Sequence, residues 1–106
     1  MEGELVNYIC GMHIMSASAG DMFAYHNLLM FASEHGKINY VTLALSKGVK
    51  NFNKAMLNAA KGQHIDIVAL MLENGAGNYD ECIDITKSLD IKELISTYKQ
   101  GLIKIA

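Results

Sequence analysis

Cys10-Gly11-Met12-His13 holds a cysteine and a histidine three positions apart, a spacing that can set a thiolate and an imidazole on one side of a turn as metal ligands. A structural zinc site needs four ligands, and the remaining candidates, His26, His35, His64 and Cys82, form no second closely spaced pair. A Cys–His nucleophile made from either thiol and a distant histidine would have to be assembled by the fold, because no base with an orienting carboxylate is apparent along the chain. His35 and His64 adjoin glycine-containing turns, where a ring N–H given to a nearby carbonyl accounts for them without general-base chemistry. Gly75-Ala76-Gly77 lacks both the Lys-Ser/Thr of a phosphate loop and a preceding strand, and reads as a helix stop. No catalytic residue, metal set or cofactor is therefore expected, and the chain reads as a non-enzyme.

Composition narrows the partners. The chain has 106 residues, 51% of them hydrophobic, enough for one modest core and a single domain. A formal net charge of -2 with both signs interspersed argues against nucleic acid and against a polybasic membrane surface. Two cysteines far apart among apolar neighbours fit buried thiols in a reducing compartment, so the expected location is the cytoplasm. The acidic start Met1-Glu2-Gly3-Glu4 is unlike a secretory signal. The charge-free stretch from Leu5 to Gly20 is interrupted by Gly11, His13, Ser16 and Ser18, and falls short of the roughly 20 apolar residues of a spanning helix.

The elements that would carry these residues repeat along the chain. Ile38, Val41, Leu43, Leu45 and Gly48 recur 27 positions later as Ile65, Val68, Leu70, Leu72 and Gly75. The same offset carries Tyr25 onto Phe52, Leu29 onto Met56 and Ala32 onto Ala59, then Phe52 onto Tyr79 and Ala55 onto Cys82. A small buried core thiol is thus the expected role of Cys82. After one lost residue, Ile65 matches Ile91, which makes the third copy degenerate.

Each copy predicts two short helices, because apolar residues recur at three and four positions instead of alternating. Ile65, Val68, Ala69 and Leu72 mark one face of a second helix that should end at Gly75, as its equivalent should end at Gly48. The helix before it is expected from about Asn53 to Lys61, with Asn51 or Asn53 as cap and Gly62 or Gln63 making the turn. Asp80 and Asp90 are expected to cap the last pair, Asp80 to Lys87 and Asp90 to about Lys104. Glu4 to Cys10 reads as a remnant of a second helix and Ser16 to Gly20 as a loop. Two-helix units of this size cannot bury their faces alone and should stack. The expectation is an all-α helix-turn-helix solenoid of about three units: 21–50, 51–77 and 78–106, with 1–20 as a cap or partial repeat.

Ala59-Ala60-Lys61-Gly62-Gln63-His64-Ile65-Asp66-Ile67-Val68-Ala69-Leu70-Met71-Leu72-Glu73-Asn74-Gly75-Ala76 resembles the heart of an ankyrin repeat, and Phe31 to Val41 follows the same pattern. The period of 27 in place of about 33 and the missing Thr-Pro-Leu-His opening depart from it, which puts long hairpin fingers in doubt. The short units joined by Gly-Val-Lys-Asn-Phe-Asn and Gly-Ala-Gly-Asn-Tyr-Asp resemble the ankyrin-like repeats of large DNA viruses, particularly the multigene-family proteins of asfarviruses. That resemblance implies a virulence or host-range factor that binds host innate-immune signalling proteins in the host cytoplasm.

The connecting segments put Lys50, Asn51, Asn53, Asn78, Tyr79 and Asp80 on one edge of such a stack, the candidate protein-binding surface. Phe52 and Tyr79, being equivalent to Tyr25, are alternatively expected to pack between units. Lys54, Asn58 and Lys61 could line an inner surface or simply be solvated. Apolar ends without obvious polar caps would favour self-association as an isologous homodimer.

Overall fold

The computed structural model describes residues 2–16 and 22–101. They form seven helices: α1 (Glu2–Ser16), α2 (Met22–His35), α3 (Ile38–Ser46), α4 (Phe52–Lys61), α5 (Ile65–Glu73), α6 (Tyr79–Ile85) and α7 (Leu89–Lys99). No strand occurs among the described residues, so the chain is all-α as expected. Helices α2, α4 and α6 pack side by side in one row, α3, α5 and α7 form a second row, and each second-row helix also packs on the helix before it. Helix α1 packs on α2, at the end of the first row.

The 27-residue offset recurs in the backbone. Gly48 and Gly75 follow α3 and α5 with φ of +97° and +101°, the left-handed conformation that ends a helix and that glycine adopts without a Cβ penalty. The Lys37 N–H donates to the Ala32 carbonyl and the His64 N–H to that of Ala59, each at 2.9 Å, closing equivalent turns. In the second of these turns Gln63 takes the left-handed conformation (φ +63°), where the first has Gly36 (φ +76°).

Burial follows the same register. Leu28, Ala55 and Cys82 are fully buried at successive offsets of the repeat, and so are Leu29 with Met56 and Val41 with Val68. In α5 the buried stripe is Ile67, Val68, Met71 and Leu72. Ile65 is 43% exposed, so the face is rotated from the expected one. This helix is apolar over most of its circumference, and the positions of α3, α4 and α7 select the buried arc.

Helix ends differ in detail from the sequence expectation. Helix α7 is capped by Ser88, whose hydroxyl accepts the Ile91 N–H at 3.3 Å, and Asp90 lies in the first turn. Asn78 likewise precedes α6, with Asp80 inside its first turn. Gly101, with φ +76°, follows the end of α7 at Lys99, before the expected Lys104. Helix α1 runs well beyond the expected remnant and includes Ser16, while the rest of the expected loop, 17–20, falls outside the described residues.

Ser33 is fully buried and its hydroxyl has no hydrogen-bond partner among the described residues, whereas the equivalent position of the next pair is Ala60. Ser33→Ala removes the unpaired group with almost no change of shape, so we expect it to stabilise the fold by about 1 kcal/mol. Urea denaturation should show a higher midpoint with an unchanged slope.

Candidate functional site

The loop edge is built by the segments entering α4 and α6. Asn51 stands at the N-cap of α4, but its side chain makes no bond to the first turn. Its amide instead meets Nδ1 of His26 on α2. One repeat further on, the Asn78 amide donates to the Asn53 carbonyl at 2.9 Å and to Glu81 Oε1 at 3.0 Å. The Gly77 N–H donates to Asn53 Oδ1 at 2.9 Å. Since His26 and Asn53 are themselves 27 positions apart, both asparagines at 51 and 78 reach back to the same place on the preceding first-row helix. The edge residues therefore tie adjacent helix pairs together while remaining at the surface.

The other candidates divide. Lys50 is exposed, and its carbonyl accepts the Phe52 N–H at 2.8 Å. Asp80 accepts from Lys99 Nζ at 2.5 Å, joining the start of α6 to the end of α7. Tyr79 and Phe52 are half-buried against the core, as does Tyr25, in keeping with packing between pairs. The Lys47 ammonium lies 5.8 Å from the centre of the Tyr25 ring, a cation–π contact on the same edge.

Lys50, Asn51 and Asn53 are brought together around a depression of about 540 Å³, which Phe52, Lys54 and Gly75 complete. Asn78, Tyr79 and Asp80 do not line it. Lys54 also lines this depression, and its spacing of four from Lys50 across the start of α4 was the available signal. A second depression, about 330 Å³, is lined by Asn27, Met30, Phe31, Glu34 and Asn58. Asn58 there donates to the Met30 carbonyl at 3.1 Å.

His64 lies in the groove between two turns. Its Nε2 is 2.9 Å from the Glu34 carbonyl, and a carbonyl only accepts, so this nitrogen carries the proton. The ring thus links the α4–α5 turn to the end of α2, the role expected of a turn histidine. His35 instead stacks on Phe31, with ring centroids 4.3 Å apart.

Cys10 and Cys82 are free and buried. Burial raises both thiols above the ordinary value, with Cys82 at about 11 by desolvation and then by the nearby Glu81 carboxylate. Neither is a ready nucleophile near neutral pH. Because the folded state holds the Cys82 proton more tightly than the unfolded chain, its contribution to stability is complete below about pH 9 and lost as pH rises toward 11. Denaturation midpoints should accordingly fall across that interval, and Cys82→Ala should flatten the fall.

Among the described residues, no group of three or more His, Cys, Asp or Glu side chains converges as a metal site. No described helix is long and apolar enough to cross a membrane. The side chain of His13 lies outside the described residues. The chain matches no known family model, no curated protein and no solved structure at a significant level.

Proposed function

We propose that the chain is a short ankyrin-like repeat solenoid of about three units that works as a non-enzymatic protein-interaction module. The observation that carries this reading is the loop edge. Equivalent asparagines at 51 and 78 hold neighbouring helix pairs in register, and the same segments present exposed Asp80 and, beside a depression, exposed Lys50. A surface assembled from repeated connecting segments can vary its exposed residues without disturbing the helices that support it. By resemblance, the partner is a host innate-immune signalling protein, the setting is the host cytoplasm, and the chain is a viral virulence or host-range factor.

Affinity capture from host-cell lysate tests this reading, comparing the wild type with Asn51→Ala/Asn53→Ala/Asn78→Ala. A specific partner lost from the variant, under conditions where its circular-dichroism helix signal is intact, is the expected result. Capture that is identical for both proteins would remove the edge from the interface.

A second reading, self-association, is favoured by α1. Leu5, Tyr8 and Met12 are 59%, 67% and 53% exposed and share one stripe of that helix, opposite buried Val6 and Cys10. On this reading Leu5→Lys/Tyr8→Lys abolishes a concentration-dependent increase in sedimentation coefficient, and a wild type that stays monomeric at high concentration eliminates it.

A further inference from the structure

The two halves of the described structure carry opposite charge. Residues 22–61 contain five lysines against the single acid Glu34, whereas residues 62–99 contain three lysines against seven acids. Within the basic half, Lys50 and Lys54 border the 540 Å³ depression, which has no acidic residue in its lining. Both are exposed, and among the described residues neither ammonium has an acceptor, unlike Lys99 on Asp80.

The floor of the depression adds donors of its own. It lies over the start of α4, where the Phe52 N–H already donates to the Lys50 carbonyl at 2.8 Å and the Ala55 N–H to that of Asn51 at 3.0 Å, which leaves the first-turn N–H groups of Asn53 and Lys54 without an intrahelical acceptor. The Asn51 side chain would ordinarily supply one, but it is turned to His26. Two cations without a partner among the described residues and a helix start without a side-chain cap therefore converge on one concave surface, which half-buried Phe52 also lines.

We infer that this depression seats an acidic, extended peptide segment of a partner protein, its carboxylates on Lys50 and Lys54 and an apolar side chain against Phe52. The inference rests on the protein-interaction reading and specifies the chemistry of the partner. The dimensions favour a peptide over a small inorganic anion, which would leave most of the volume and the aromatic surface uncovered. The acidic residues of α6, next along the same edge, would repel the continuous backbone of a nucleic acid, whereas a peptide can end or change charge there.

The test uses the full chain and a fluorescein-labelled octapeptide carrying four glutamates around one phenylalanine, read by fluorescence anisotropy. Lys50→Glu/Lys54→Glu should weaken binding by about ten-fold or more, and raising the salt should weaken it for the wild type. Lys87→Glu/Lys92→Glu, which makes the same change of net charge away from the depression, should leave the affinity within about three-fold. Circular dichroism should show both variants folded, since among the described residues none of the four ammonium groups forms a hydrogen bond or ion pair. No binding of the glutamate peptide, equal loss in the two variants, or equal binding of a lysine-for-glutamate peptide would each overturn the inference. A lysate partner that depends on the asparagine edge but is retained by Lys50→Glu/Lys54→Glu would overturn it too, while leaving the interaction-module reading in place.

Discussion

Gly62→Ala is expected to destabilise the fold by about 3 kcal/mol, although local conformation alone argues the opposite sign. Gly62 follows α4 with φ −80° and ψ −5°, a right-handed conformation that alanine adopts readily. On backbone entropy, the substitution there should be neutral or slightly stabilising. An added Cβ, however, would stand 2.1 Å from the Glu34 carbonyl oxygen and 2.7 Å from Cδ2 of His64. Backbone atoms of two turns cannot both hold their places at that distance, and the His64 bond to Glu34 would be lost as they separate. Gly11→Ala provides the contrast: its Cβ would meet nothing within 4 Å on a helix, so a gain of about 0.5–1 kcal/mol is expected. Urea denaturation of the two variants should give midpoints displaced in opposite directions. If Gly62→Ala matches the wild type, the close approach of the two turns is wrong.

Met56→Ala should cost about 2–5 kcal/mol. Met56 is fully buried on α4, the helix that packs against α2, α5 and α6. Truncation there leaves a cavity between rigid helices that cannot all move in to fill it. Domains of this size have total stabilities on the order of 5–15 kcal/mol, so a large part of the folded population is at stake. Thermal unfolding followed by circular dichroism should show the loss, and a shift of only one or two degrees would mean that the site collapses around the smaller side chain.

Much of the architecture was legible because the chain repeats itself. Equivalent glycines at 48 and 75 set equivalent left-handed stops, and the 27-residue spacing of Ala55 and Cys82 marked Cys82 as a core position before any contact was known. The candidate edge was legible only as a location. The sequence put Asn51, Asn53 and Asn78 there, but a polar side chain at a surface can face solvent or a neighbouring turn equally well. Hydrogen bonding to His26, Asn53 and Glu81 was decided by how closely the helix pairs approach.

Taken by itself, the sequence determined the helical class, the pairing of helices and the stops between them, since these depend on short-range spacing and on what each backbone position permits. Tertiary structure alone decided which arc of the nearly all-apolar α5 is buried, why Gly62 must lack a Cβ, and that Gly75 closes the depression beside Lys50 and Lys54. Those features arise where segments about 27 residues apart in sequence come within van der Waals distance, and no local propensity encodes that separation.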